Sequence, residues 1–206
     1  MQITYLDGTR LKRALIAGSR RVQNYRDQLN RINVFPVADS DTGTNMGITL
    51  QALIRGVANS VDQSLPSISR SAADAALSGA RGNSGTILSQ FFYGLTVGIE
   101  NKTRINTTAF GKIVRNAVDY TYDALTEPVE GTILTVLRVW GEKLVEKSHH
   151  TGDFAKLFSE SLGAAKTALK GTRNKLPNLR KAKVVDAGAL GIVYLIEGIV
   201  NFIEGG

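Results

Sequence analysis

From Thr9 to Ile203 the apolar residues of this chain recur at three- and four-residue spacing, and no stretch sustains a two-residue alternation. That period puts apolar side chains on one face of an α-helix, whereas a half-buried strand needs alternation. The first predicted helix runs from about Thr9 to Arg31 behind Asp7 as its cap, with Leu11, Leu15, Val22, Tyr25, Leu29 and Ile32 on one stripe. A second opens near Thr44-Asn45 and carries Met46, Leu50, Leu53, Ile54 and Val57. Ser67 caps a third, Ala-rich one ending near Ala80, and a fourth begins at Asn83-Ser84. The fifth starts at Asn106-Thr107, the sixth after Gly131-Thr132 and the seventh after Asp153; the eighth is the apolar segment after Asp186. The basic, Pro-containing stretch from Thr172 to Lys183 reads as the longest irregular connection. With no βαβ rhythm and no repeat, the expected fold is all-α: an eight-helix, up-and-down antiparallel barrel or bundle around one core, one domain over residues 1–206.

Composition closes several routes. The chain has no Cys, which excludes disulfides, zinc–thiolate sites and cysteine nucleophiles and fits a reducing cytoplasm. The first eight residues lack the basic and apolar blocks of a signal peptide. The most apolar stretch, Ala187 to Ile203, is interrupted by Glu197 and reads as a buried helix, with no membrane span expected. A net charge of +7 raises the question of nucleic acid, but the basic residues are spread along the chain without an aromatic-rich RNA signature or a Cys/His finger. No nucleic-acid partner is expected; attraction of an anionic nucleotide, or a solvated face, accounts for the charge as well.

One segment carries more chemistry than the rest. In Asn33-Val34-Phe35-Pro36-Val37-Ala38-Asp39-Ser40-Asp41-Thr42-Gly43-Thr44-Asn45, two carboxylates stand two residues apart just before a helix. Asp39 and Asp41 on non-helical backbone can converge on one hard cation, and magnesium so held shares its sphere with water and substrate phosphates. The same residue types also make ordinary turns, so the pair alone leaves both readings open.

Gly recurs at other predicted helix starts, where free amides and the dipole favour anions. Gly79-Ala80-Arg81-Gly82-Asn83-Ser84-Gly85-Thr86 is one such start, without the Lys-Ser/Thr of a P-loop. Glu127-Pro128-Val129-Glu130-Gly131-Thr132 is another, and Val184-Val185-Asp186-Ala187-Gly188 a third. Each can be a plain cap. In an up-and-down bundle, however, the second, fourth, sixth and eighth helices start at the same end, so these loops would ring one rim.

Asn-Val-Phe-Pro-Val-x-Asp-x-Asp-Thr-Gly-Thr-Asn-Met, Ala-Arg-Gly-Asn-Ser-Gly-Thr-Ile-Leu-Ser-Gln, Pro-x-Glu-Gly-Thr and Val-Asp-Ala-Gly-Ala-Leu-Gly, in this order, resemble the N-terminal, ATP-binding domain of the fatty acid kinase family, itself similar to the L subunit of dihydroxyacetone kinases. The resemblance runs through the whole chain. It implies an eight-helix barrel with ATP and two magnesium ions at one rim. Asp39 and Asp41 are then the principal magnesium ligands, with Asn33 near a further one, and Asp39, Asp41 and Thr44 stand at the reaction centre. Thr42, Gly43, Thr44 and Asn45 line metal and phosphates. Arg81, Gly82, Asn83, Ser84, Gly85 and Thr86 cradle the phosphates together with Gly131 and Thr132, while Asp186 and Gly188 close over the nucleotide.

The implied reaction transfers the γ-phosphoryl group to a fatty acid carboxylate held by a fatty-acid-binding carrier protein. The chain would be the nucleotide-binding domain of a longer protein that forms a homodimer through further C-terminal domains, and by itself would turn over poorly. A kinase for dihydroxyacetone or a similar hydroxy compound, or a nucleotide-sensing module without catalysis, are the competing readings. One departure stands out: the family usually has Asp-Gly-Asp where this chain has Asp39-Ser40-Asp41. If that position takes a positive φ, Ser costs on the order of 1 kcal/mol there. His149 and His150 read as an exposed helix end and Trp140 as core.

Overall fold

Asp7, Ser64, Asn106 and Asp153 each stand one residue before a helix and accept a hydrogen bond from an amide of its first turn. The helices they start are α1 (Gly8–Asn24), α4 (Leu65–Ser78), α6 (Thr107–Asp123) and α8 (Phe154–Lys175). The computed structural model describes residues 2–205. Among them lie four more long helices, α3 (Thr42–Asn59), α5 (Gly82–Ile99), α7 (Ile133–Ser148) and α10 (Ala187–Gly205), and two six-residue ones, α2 (Arg26–Arg31) and α9 (Pro177–Ala182). The eight long helices alternate in direction around one core, as the periodicity predicts.

The starts of α1, α4, α6 and α8 share one end. Gly8 lies against the backbone of Gln63 and Ser64. Leu6 and Ile105 pair as an isolated antiparallel bridge, the one β-type pairing among the described residues. The Asp153 carboxylate takes the Ile3 amide at 3.0 Å. A cavity of about 550 Å3, walled by Phe91, Phe110, Trp140, Phe154, Phe158 and Ile196 among others, lies toward this end.

Three expectations about elements are corrected. The first predicted helix is two helices, broken at Tyr25, whose ring stacks on Tyr194 at 4.4 Å. Nothing local to Tyr25 forces the break; it lets α2 turn onto the start of α3. The cap of α4 is Ser64, and Ser67 donates its amide to it. The stretch from Thr172 to Lys183 is largely helical: α8 runs on to Lys175, and Pro177, with φ preset for a first helical position, opens α9.

α10 is long and apolar enough to cross a membrane by length and composition, yet it packs between α1 and α8 and reaches α7 and α3. Its Glu197 bonds to Arg21 at 2.6 Å and Lys166 at 2.7 Å. Burial pushes the Glu197 carboxyl up, but Lys166 and then Arg21 outweigh it and hold the group below its usual range. Trp140 is core, donating to Ser161 Oγ at 3.1 Å.

Candidate functional site

The start of α3 is built so that its own cap position does not cap. Asp41 occupies that position with helical backbone (φ −118°, ψ −9°) and makes no side-chain cap bond. The work is done from α2: Asn30 Oδ1 accepts the Thr44 amide at 3.0 Å, and its Nδ2 donates to the Thr44 hydroxyl at 2.9 Å. Gly43 permits the approach, since a β-carbon there would come within 2.1 Å of the Arg26 carbonyl oxygen. Thus the Asp41 carboxylate is released from a cap's usual duty.

Asp39 is held by a buried amide. Asn33 is only 4 % exposed, and its Nδ2 donates to Asp39 Oδ1 at 2.7 Å and to the Val37 carbonyl at 3.0 Å. Its Oδ1 accepts the Thr42 hydroxyl. With two acceptors on one side and a hydroxyl donor on the other, only this orientation of the amide is satisfied. Asn33 occupies Asp39 Oδ1 and makes no bond to Oδ2. The Asn33 oxygen is turned to Thr42 and its nitrogen to Asp39. Ser40, between the two carboxylates, has φ +57°, the left-handed region that favours glycine.

α5 begins without a side-chain cap. Its first-turn amides, from Gly82, Asn83 and Ser84, have no partner within the helix. Gly82 has φ +57° and lies against the Asn45 side chain, where a β-carbon would come within 2.4 Å of Asn45 Nδ2. The starts of α3 and α5 are thereby pressed together.

The α7 and α10 starts are capped and joined. Thr132 Oγ accepts the Leu134 amide at 3.4 Å and donates to the Val129 carbonyl at 2.6 Å. Behind it Glu130 braces the loop, accepting from Tyr122 at 2.6 Å, from the Thr135 hydroxyl, and from Arg138 at 3.3 and 3.4 Å. Asp186 is 6 % exposed; its Oδ2 accepts the Ala189 amide at 2.8 Å, and its own amide donates to Thr172 Oγ at 3.0 Å. Burial pushes the Asp186 carboxyl up to about 6, although the amides of Ala189, Ile133 and Gly188 work against the rise.

These four starts meet at one cavity of about 470 Å3. Of the residues singled out in the sequence, Asn33, Asp39, Asp41, Thr42, Asn45, Gly82, Asn83, Ser84, Thr86, Thr132, Asp186 and Gly188 line it. Gly43, Thr44, Arg81, Gly85 and Gly131 do not. Thr44 faces an outer groove beside Gln23 and Arg26 because Asn30 holds it. Gly43 and Gly85 are buried where helices touch, Gly85 against Thr49 Oγ. Gly131 (φ +89°) lies against Lys175. Arg81 turns back onto the Ala80 carbonyl at 2.8 Å.

The lining also has members that sequence reasoning passed over: Phe35, Pro36, Val37, Ile87, Leu125, Glu127 and Val129. Phe35 to Val37 stood inside the informative segment, but only tertiary placement turns them and Leu125 into an apolar wall. Among the described residues no three Asp, Glu or His side chains gather as a metal cluster. A hard cation on Asp39 and Asp41 would complete its sphere with water and ligand oxygens, which is how magnesium is commonly bound. Carboxylates, two uncapped helix starts and apolar side chains thus share one cavity, a combination that can take an anionic group through its metal and its amides and an apolar group beside them.

Comparison with known proteins supplies the kinship. Residues 36–201 match the DAK2 domain family. An uncharacterised protein of Staphylococcus saprophyticus is 36 % identical over 203 residues, which is 98 % of this chain and 37 % of that protein. One from Staphylococcus haemolyticus is 35 % identical over the same shares. The chain thus spans little more than a third of these relatives' length. Among solved structures, the dihydroxyacetone kinase of C. freundii in its native form superposes with a TM-score of 0.68 at 13 % identity, over 92 % of this chain and 34 % of that one. The same kinase in complex with AMP-PNP and Mg2+ gives 0.68 at 14 % identity, over 92 % and 33 %. At such identities the likeness establishes the fold.

Proposed function

We propose, on the premise that the chain belongs to the DAK2-domain family, that it is an ATP- and magnesium-binding kinase domain. It transfers the γ-phosphoryl group to the carboxylate of a fatty acid presented by a lipid-binding partner protein, giving an acyl phosphate. The observation that carries this reading is the non-capping Asp41 carboxylate beside Asp39, which Asn33 holds, at a cavity where four helix starts meet. The kinase of the same fold solved with AMP-PNP and Mg2+ supports ATP and magnesium as the ligands.

Asp39 and Asp41 would hold the magnesium, two ions on the family's pattern, with Asn33 fixing the rotamer of Asp39. Bound magnesium neutralises phosphate charge in the transition state. The open amides of α5, with Asn83, Ser84 and Thr86, receive phosphate oxygens, and the apolar wall of Phe35, Val37, Leu125 and Val129 seats the base. No histidine lines the cavity among the described residues, and the reaction needs none. A carboxylic acid with a pKa of about 4 to 5 is already ionised at neutral pH. Catalysis then reduces to holding two anions in line and balancing their charge. In this reading the chain acts in the cytoplasm as one nucleotide-binding domain, and the carrier and any homodimer contact belong to the complete kinase.

The test is calorimetric titration of ATP with and without magnesium, on the wild type and on Asp39→Ala/Asp41→Ala. Magnesium-dependent binding that disappears in the double variant is the expected result; nucleotide binding that survives it would move the site elsewhere. The acceptor is decided separately, by comparing phosphorylation of an oleate-loaded carrier with that of dihydroxyacetone. The wording of the Asn33–Pro36 and Arg81–Ser84 motifs favours the fatty acid, and the shared fold alone favours dihydroxyacetone.

A further inference from the structure

The cavity proposed to receive a polyphosphate is lined by Asp39, Asp41, Glu127 and Asp186 and, among the described residues, by no Lys or Arg. An anion approaching it therefore meets a lining of its own sign. The compensating charge lies just outside. From Ser161 to Val185 the sequence contains no Asp or Glu. Lys166 in that stretch is paired with Glu197. Lys170, Arg173, Lys175, Arg180, Lys181 and Lys183 are all exposed, and none makes an ion pair among the described residues.

Two of them, Lys175 and Lys183, are placed next to the cavity. Lys175 lies against Gly131, next to the cavity-lining Thr132. Lys183 ends α9 three residues before the cavity-lining Asp186, whose amide is bonded to Thr172 of α8. Arg173 donates to the Lys183 carbonyl and Arg180 to the Asn174 carbonyl, so the two guanidiniums staple the α8–α9 turn without losing any charge to a carboxylate. No aromatic residue occurs between Phe158 and Tyr194, and no large apolar side chain is exposed there, so the strip offers neither a stacking platform for bases nor an anchor for a bilayer.

We infer that the α8–α9 strip is an electrostatic collar that gathers anionic nucleotide polyphosphates and steers them into the cavity, supplying the positive field that the lining lacks. The inference rests on the nucleotide reading above. Magnesium-bound ATP keeps a net negative charge, and a focused field of opposite sign raises association rates by about 10- to 1000-fold, an effect that falls steeply with ionic strength. The screening length in physiological salt is about 8 Å, so charges next to the cavity are felt there far more than charges across the domain. Cations on α1 or α6 should therefore contribute little.

Stopped-flow binding of the magnesium complex of N-methylanthraniloyl-ATP tests this across a salt series. The variant neutralises Lys175, Lys181 and Lys183 to Gln, because these three side chains donate no hydrogen bond that holds the turn. A control neutralises Arg20, Arg70 and Lys112, exposed cations on α1, α4 and α6, and removes the same net charge. The expected result at low salt is an association rate about threefold or more slower for the collar variant, with a flatter salt dependence. Its dissociation rate should stay unchanged, and the control should stay within 1.5-fold, an allowance of about experimental scatter. Association of neutral N-methylanthraniloyl-adenosine should respond to neither variant nor salt. Equal slowing by collar and control would reduce the strip to one more solvated face and overturn the inference while leaving the nucleotide site intact. No binding by the wild type at any salt would overturn the nucleotide reading, and the collar with it.

Discussion

The two ends of the barrel begin their helices by different rules. Away from the cavity, α1, α4, α6 and α8 are each closed by their own residue: Asp7, Ser64, Asn106 and Asp153 accept first-turn amides at 2.9, 3.3, 2.9 and 3.1 Å. At the cavity, Asp41 and Arg81 stand in the same position before α3 and α5 and cap nothing. Thr132 and Asp186 do cap, and they line the cavity as well. One end closes all four of its helix starts, and the other leaves two of its four uncapped, with open amides at the cavity.

Exchanging one Asp from each end gives the largest effect. Asp153→Ala should cost about 1–2 kcal/mol in urea unfolding, since both the Ala155 and Ile3 amides lose their acceptor. It should leave magnesium-ATP affinity within about twofold, because its contacts are all at the far end. Asp41→Ala should change stability by no more than about 0.5 kcal/mol, the range for a side chain that bonds to nothing in the protein. It should weaken magnesium-ATP at least about 100-fold, equivalent to about 2.7 kcal/mol. Similar losses of stability in both variants would erase the distinction between the ends.

Asp186 sharpens the comparison because its capping is done under burial. Its carboxyl titrates at about 6 in the folded chain, against about 3.9 when exposed. Between those values the folded state binds more protons than the unfolded one, so this group's stabilising contribution is complete below about pH 4 and is lost as pH rises through 6. The loss is on the order of 2–3 kcal/mol. Asp186→Asn cannot titrate. Its stability minus that of the wild type should climb across pH 4–6 and level off above 7, as read from urea midpoints at each pH. A flat difference would mean that the backbone amides of Ala189, Ile133 and Gly188 offset the burial completely.

Asn30 lies between the two rules, for it caps α3 from another helix. Asn30→Ala should cost about 1 kcal/mol, the usual worth of a cap. It should also weaken magnesium-ATP several-fold, because the vacated Thr44 amide then competes for the Asp41 carboxylate. Stability lost with affinity unchanged would show that Asp41 stays in the cavity without help from Asn30.

How much of this was legible in the sequence follows the same division. The far end could be read residue by residue, since a cap and its helix are local: Asp7, Asn106 and Asp153 were each placed correctly, and only Ser64 was exchanged for Ser67. The rim could be read as motifs, and most of their polar residues do line one cavity. What escaped was non-local. The break at Tyr25 depends on α2 packing onto Gly43, and Thr44 is drawn out of the cavity by Asn30, fourteen residues earlier. Asn33 turns its amide nitrogen to Asp39 because Thr42 claims its oxygen. Lys175 stands by Gly131 only because α8 continues through a stretch whose charge and proline suggested a loop. Each of these depends on a partner that no local window contains.

Ser40 is the position where strain and function are closest together, and it gives the smallest effect. The backbone at Ser40 has φ +57°, a region in which a β-carbon is unwelcome and glycine is at ease. Ser40→Gly should relieve about 1 kcal/mol of that strain and return part of it as added freedom of the unfolded chain, for a net gain of about 0.5 kcal/mol. Because Asp39 is fixed by Asn33 and Asp41 by the start of α3, the relief should reach the metal site only weakly. Magnesium-ATP affinity is expected to shift by less than about tenfold, equivalent to less than about 1.4 kcal/mol. A hundredfold gain in calorimetry would mean that the serine holds the two carboxylates apart, and that the open rules of the rim depend on this one residue more than on Asn30 and Asn33.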